Sequence, residues 1–163
     1  MQRHVLLCRH AETHEPYPLQ PDFDRELTKT GIGQARNTGQ WIREHYRKVD
    51  LLLASPAKRS GLTARLVAEK IYFDEEKISY DPELYNARES RLLKALAELP
   101  DSVTTVLVVA HNPGITALAR TLTDKHIAYM EPADVIAVAL DLEKWEEIYY
   151  TLGHIQHQAI SQA

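Results

Sequence analysis

Val5-Leu6-Leu7-Cys8-Arg9-His10-Ala11-Glu12-Thr13 begins with four apolar residues that run directly into a guanidinium and an imidazole. Such an apolar run is typical of a short strand of a parallel sheet, buried on both faces. In open α/β sheets, ligands bind at the carboxyl ends of the strands. The stretch therefore predicts that Arg9 and His10 lie at a ligand-binding edge.

The length and composition indicate a single folded domain over residues 1–163. The chain is 44% hydrophobic and 26% charged, which is ordinary for a globular protein. A formal net charge of -4 argues against a nucleic-acid or anionic-membrane binder, because such proteins carry a clustered basic excess. No nucleic-acid or membrane partner is therefore expected.

The sequence also gives an expectation for the compartment. Cys8 is the single cysteine, which excludes an internal disulfide and favours a reducing compartment. No apolar run approaches the ~20 residues of a membrane span, and the run over 5–8 is too short for the core of a signal peptide. We therefore expect a cytoplasmic protein.

Hydrophobic periodicity predicts alternating strands and helices. Such alternation is typical of an α/β fold with a mainly parallel sheet, helices on both faces and an antiparallel edge from the last hairpin. A last strand over 148–152 is expected to pair with 135–140, and no regular structure is expected after Gly153. The remaining predicted strands cover 5–8, 50–54, 78–80 and 104–110, and the helices cover 30–47, 57–71, 89–99 and 114–122.

Two helix starts carry capping signals. Thr28 is a suitable N-cap for the first helix. Asn112 followed by Pro113 has the pattern of an N-cap and a first helical residue, so the start of the 114–122 helix should lie near His111. A helix N-terminus there would favour an anion.

Three segments that are distant in sequence should meet at one sheet edge. His10 and His111 each follow a predicted strand, and Arg59 lies in the first turn of the helix after another strand. Together with Arg9 they supply two imidazoles and two guanidiniums. A neutral imidazole is a competent nucleophile towards phosphorus, and arginines match phosphate oxygens, so the set predicts phosphoryl transfer without a metal.

Four short segments resemble the signature segments of the histidine phosphatase superfamily, in the same order and spacing over about residues 3–140. The chain is small and has no large insertion between Arg59 and His111, which resembles the SixA-type phosphohistidine phosphatases. The segments are LCRHAET at 7–13, LT with Gly31 and QA within 27–35, SPAKR with TA within 55–64, and VAHNPG at 109–114.

The resemblance implies a fold and a set of roles. The fold would be the phosphoglycerate mutase-like three-layer sandwich. His10 would be the nucleophile that is transiently phosphorylated, while Arg9, Arg59 and His111 would hold the phosphoryl group. Arg25 would contact the substrate, and no cofactor or metal would be needed.

The sequence departs from the mutase-like members of this family at the proton donor. Those members place a glutamate two positions after a leucine, whereas Leu84 is followed at that distance by Asn86. Glu83, Glu89 and His111 remain as alternatives, together with no donor at all. Because a leaving imidazole can be protonated beforehand, the missing glutamate favours phosphohistidine over alkyl phosphates.

These observations lead to one main hypothesis and two alternatives. The main hypothesis is a phosphatase acting on phosphohistidine in a partner protein. The alternatives are a phosphatase for small phosphate monoesters and a catalytically silent phosphate-binding or adaptor module. Cys8 is interpreted as an inert core residue, and His154 and His157 as solvated side chains rather than metal ligands.

Overall fold

The computed structural model describes residues 1–160, which form a six-stranded sheet and four α-helices. The strands are β1 (Gln2–Arg9), β2 (Leu51–Ala54), β3 (Ser79–Tyr80), β4 (Thr105–Ala110), β5 (Val135–Asp141) and β6 (His154–Ala159). The helices are α1 (Lys29–His45), α2 (Lys58–Lys70), α3 (Glu89–Ala97) and α4 (Gly114–Thr123). The strand order is β3-β2-β4-β1-β5-β6.

The sheet is parallel on one side of β1 and antiparallel on the other. β3, β2, β4 and β1 pair in parallel, whereas β5 runs antiparallel to β1, and β6 runs antiparallel to β5. This arrangement confirms the predicted mainly parallel sheet with an antiparallel edge.

Successive residues of β1 contribute to two different cores. Val5 and Leu7 pack with the apolar residues of α3 and α4, while Leu6 and Cys8 pack with those of α1 and α2. The sheet is therefore the middle layer of a three-layer sandwich, as predicted. Burial on both faces also explains why β1 and β4 are apolar throughout rather than alternating.

The predicted last strand over 148–152 is wrong. Trp145–Tyr150 forms a 3-10 helix, with Trp145 and Ile148 buried and the Trp145 Nε1 donating to the Val103 carbonyl at 2.8 Å. The two buried side chains are three residues apart, which matches one turn of a 3-10 helix. The strand partner of β5 is β6, so the expectation of no structure after Gly153 is also wrong.

The helix starts agree with the capping signals in part. The Thr28 Oγ1 accepts from the Gly31 N at 2.9 Å, which confirms the N-cap of α1. In α4 the N-cap position is occupied by Pro113, one residue later than predicted. The Asn112 Oδ1 instead accepts from the Thr116 Oγ1 at 2.6 Å and from the Thr116 N at 3.3 Å.

Within residues 1–160, none of the helices combines the length and apolar character that crossing a bilayer requires.

The first turn of α1 lies directly against the segment that follows β1. The Thr28 N donates to the Glu12 carbonyl at 3.0 Å, and a Cβ at position 31 would overlap with that same carbonyl oxygen. Gly33, in the same helix, has no neighbouring atom within 4 Å of the corresponding position. Of these two glycines, only Gly31 lies so close to another backbone segment that a side chain would not fit.

We expect opposite effects from alanine at these two glycines. Gly31→Ala should lower the free energy of unfolding by about 1–3 kcal/mol, because the added methyl displaces the Glu12 carbonyl. Gly33→Ala should raise it by about 0.5–1 kcal/mol through helix propensity. Urea denaturation monitored by circular dichroism measures both. A Gly31→Ala variant as stable as Gly33→Ala would contradict the close approach.

Candidate active site

The two histidines lie side by side because their strands are neighbours. β1 and β4 pair in parallel with Arg9 opposite Ala110, so His10 and His111 leave the sheet at the same level. Their ring centroids are 5.3 Å apart. The predicted convergence of these strand ends at one edge is present in the structure.

An open pocket of about 420 Å³ collects the predicted site residues at this edge. Its lining includes Arg9, His10, Arg25, Arg59 and His111. Sequence reasoning missed other lining residues, because they belong to loops without periodic patterns. These are Glu12, Thr13, Glu15, Asp22, Asn112, Tyr129 and Pro132.

The tautomer of His10 follows from one hydrogen bond. Its Nδ1 lies 2.8 Å from the Ala11 carbonyl oxygen. A carbonyl can only accept, so Nδ1 carries the proton and Nε2 keeps its lone pair. Burial, with a smaller contribution from the Arg59, Arg9 and Arg25 guanidiniums, lowers the pKa of His10 to about 4. The ring is therefore neutral at pH 7, with an unprotonated Nε2.

His111 is also held in the neutral form. Burial, followed by the charges of Arg59 and His10, lowers its pKa to about 3. The His111 Nε2 lies 2.7 Å from the Ser55 Oγ. Its Nδ1 is buried and has no hydrogen-bond partner among residues 1–160. When the Ser55 hydroxyl donates to Nε2, the Nδ1 proton is available to an acceptor in the pocket.

Arg59 is anchored mainly by one acidic residue. Its Nη1 donates to the Asp22 carbonyl at 2.7 Å, and its Nη2 donates to the Asp22 Oδ2 at 2.9 Å and to the Asn86 Oδ1 at 3.2 Å. The Arg59 side chain is 4% exposed. Its position in the fold is therefore fixed by burial as well as by hydrogen bonds.

Two further arginines enter the same pocket. The Arg9 Nη1 donates to the Met130 carbonyl at 2.9 Å, and the Arg25 Nη1 donates to the Asp22 Oδ1 at 3.2 Å. In Arg9, Arg25 and Arg59 the Nε is buried without a partner among the described residues. Unpaired guanidinium donors beside two neutral imidazoles form a site suited to a tetrahedral oxyanion.

Comparison with known proteins identifies the family. The family model of the histidine phosphatase superfamily (branch 1) matches residues 5–87. Uncharacterized protein ML1117 of Mycobacterium leprae is 30% identical over 151 residues, covering 86% of this chain and 91% of the relative. The chain belongs to the histidine phosphatase superfamily.

Two solved structures share the fold over nearly all of the chain. A protein of Nakamurella multipartitia assigned as a phosphohistidine phosphatase SixA has a TM-score of 0.84 and 26% identity, covering 100% of this chain and 98% of the other. One from Agrobacterium tumefaciens with the same assignment has a TM-score of 0.80 and 24% identity, covering 98% and 99%. The expectation of a SixA-type phosphatase with a phosphoglycerate mutase-like fold is confirmed.

The carboxylates considered as proton donors of this histidine phosphatase point elsewhere. The Glu83 Oε2 pairs with the Arg91 Nη1 at 2.8 Å, and the Glu89 Oε1 accepts from the Thr121 Oγ1 at 2.6 Å. Neither glutamate lines the pocket, whereas Asn86 does. The geometry therefore gives no support to Glu83 or Glu89 as the donor.

The remaining reactive side chains lie apart from the pocket. Cys8 is fully buried in the sheet, and burial raises the pKa of its thiol to about 12. The His157 ring packs against His45, with centroids 4.8 Å apart, and against Tyr46, with centroids 5.7 Å apart. Across residues 1–160, no group of three or more His, Cys, Asp or Glu side chains is arranged to hold a metal ion.

We expect His10 to remain neutral down to about pH 5, since its pKa of about 4 lies well below that of a free imidazole. Long-range ¹H–¹⁵N NMR at pH 7 should show the proton on Nδ1. Titration should then give a midpoint near 4, with a His10→Ala variant assigning the signal. A midpoint above about 6, or a proton on Nε2, would contradict the derived tautomer and environment.

Proposed function

We propose that this phosphatase uses His10 as a nucleophile, forms a phosphohistidine intermediate, and acts on phosphohistidine in a partner protein. The hydrogen bond from the His10 Nδ1 to the Ala11 carbonyl carries the proposal, because it leaves the Nε2 lone pair directed away from the backbone. A buried neutral imidazole is ready to attack without losing a proton first.

The first step exchanges one phosphorus–nitrogen bond for another. The His10 Nε2 attacks phosphorus, its new bond forms, and the bond to the substrate imidazole breaks. The negative oxygens are stabilised by the guanidiniums of Arg9 and Arg59 and by the His111 Nδ1 proton, while Arg25 contributes charge at the pocket wall. Three fixed positive charges supply this stabilisation without a metal ion.

The second step releases phosphate. A water attacks phosphorus on the side opposite His10, the bond to Nε2 breaks, and the imidazole returns to its starting form. The water gives up one proton, which passes to the departing phosphate or to solvent. Each cycle thus consumes one phosphorylated side chain and one water.

The leaving group decides between substrate classes. Alkyl phosphates need a proton on a departing alkoxide, whereas a phosphorylated imidazole can be protonated before its bond breaks. Asn86 lines the pocket, and the carboxylates of Glu83 and Glu89 pair elsewhere. The SixA assignment of the Nakamurella relative gives further support to phosphohistidine.

A small-monoester phosphatase is the second candidate. Glu12 and Glu15 both line the pocket, so a carboxyl group is present there that could protonate an alkoxide. The Glu12 Oε2 already accepts from the Thr28 Oγ1 at 3.0 Å, which leaves Glu15 as the less constrained of the two.

The intermediate can be trapped directly. Brief mixing with a ³²P-labelled phosphohistidine protein should leave an acid-labile, base-stable label on the enzyme. His10→Ala should not acquire this label, and its turnover should fall at least about 10³-fold. The exposed residue His14 provides a matched control, and His14→Ala should keep both the label and the turnover of the wild type. Full turnover by His10→Ala would refute the mechanism, and no turnover by the wild type would support a silent binding module.

Substrate preference should follow the leaving group. We expect kcat/KM for a phosphohistidine protein to exceed that for alkyl phosphates by about 10² or more, since a missing general acid costs about that factor. Assays in EDTA test metal independence at the same time. Comparable rates on both substrates, with the alkyl activity lost in Glu15→Gln, would instead establish the monoester phosphatase.

A further inference from the structure

Asp22 makes more contacts with the pocket than any role assigned so far explains. Its Oδ2 accepts from the Arg59 Nη2 at 2.9 Å, from the Tyr85 hydroxyl at 2.6 Å and from the Asn86 Nδ2 at 3.4 Å. Its Oδ1 accepts from the Arg25 Nη1 at 3.2 Å. One carboxylate thus engages four donors that come from three separate segments.

This carboxylate is ionised. Burial alone would raise the pKa of Asp22, but the hydrogen bonds from Tyr85, Arg59 and Arg25 outweigh it and hold the pKa well below its usual range. The charge of Asp22 also acts inside the pocket, because it raises the pKa of His111 against the larger opposing effect of burial. A full negative charge therefore faces the donors that suit a phosphate group.

We propose that Asp22 is an internal competitor for the oxyanion: its carboxylate engages Arg59 and Arg25 and thereby weakens the retention of inorganic phosphate. The proposal rests on the proposed function, in which phosphate is the product that must leave. Both anions draw on the same guanidinium donors, so each one bound to them weakens the other.

The burial of the partners indicates which side chain gives way. Arg59 is 4% exposed and fixed in the pocket wall, whereas the Asp22 side chain is 43% exposed and lies in a short 3-10 turn, Asp22–Asp24. When phosphoryl oxygens reach Arg59, the carboxylate of Asp22 can exchange this contact for water, because it is partly exposed. The buried guanidinium has no such alternative.

Competition of this kind has different consequences for substrate and product. A phosphohistidine on a partner protein gains binding energy from the protein surface around the phosphoryl group, which offsets the displacement of Asp22. Inorganic phosphate has only the pocket donors. The displacement costs both ligands the same free energy, but only inorganic phosphate lacks other contacts, so Asp22 leaves the product weakly bound.

Calorimetric titration with inorganic phosphate at pH 7 tests the competition without turnover. Asp22→Asn keeps the size of the side chain and removes its charge, so phosphate should bind about tenfold or more tightly than to the wild type. Asp24→Asn is the matched control, since it removes the same charge two residues away and should leave phosphate affinity within about twofold. Unchanged or weaker binding by Asp22→Asn would overturn the proposal, because Asp22 would then serve to organise Arg59.

A second measurement separates this inference from the proposed function. In steady-state assays on a phosphohistidine protein, the inhibition constant for phosphate should fall by the same factor in Asp22→Asn. If the wild type turns over no phosphohistidine but phosphate still binds Asp22→Asn more tightly, the proposed function fails and the competition stands. If the wild type turns over phosphohistidine and Asp22→Asn binds phosphate no more tightly, the proposed function stands and the competition fails.

Thermal melting confirms that each variant is folded. If Asp22→Asn is not folded, Asp22→Ser replaces it.

Discussion

The parallel pairing of β1 with β4 is the constraint on which the site depends. Both strands are buried on both faces, and their register places Arg9 opposite Ala110. A slip of one residue in β1 would exchange the side chains of the two cores, moving Leu6 into the space filled by Leu7. The packing of both layers therefore fixes the relative positions of His10 and His111, although neither histidine belongs to a core cluster.

Burial and positive charge act on these imidazoles in the same direction. Burial and neighbouring positive charge each disfavour the protonated ring and lower its pKa. Both rings are therefore neutral over a wide pH range. Arginine is suited to such a site, because its guanidinium keeps its charge where a lysine would lose its proton more readily. The guanidiniums that line the pocket thus act together with burial to keep His10 unprotonated.

The part of the site that could be predicted from sequence lies at element boundaries. His10, Arg59 and His111 each follow an apolar run or begin a helix, so local pattern and the rules of parallel sheets place them together. Asp22 could not be found this way. Its position depends on bonds to Arg59 and Tyr85, 37 and 63 residues along the chain, and its own loop has no periodicity.

Dependence on distant contacts also explains which features of the fold the sequence did not predict. β6 is a polar edge strand whose identity comes from backbone pairing with β5 rather than from an apolar pattern. Arg3 is a charged residue near the start of β1, yet it is only 1% exposed. Its guanidinium donates to four backbone carbonyls, those of Leu142, Asp101, Val103 and Glu143. Contacts between distant segments decide both features, and local sequence carries no signal of them.

Asn86 bonds to both members of the Asp22–Arg59 ion pair. Its carboxamide donates to the Asp22 Oδ2 at 3.4 Å and accepts from the Arg59 Nη2 at 3.2 Å, so it satisfies both members of the ion pair. An ionised glutamate at this position could accept but not donate, and its charge would repel Asp22. Asn86 also has a φ of 50°, a left-handed conformation that asparagine tolerates better than most residues. Asparagine at position 86 therefore suits both the Asp22–Arg59 ion pair and the local backbone conformation better than an ionised glutamate would.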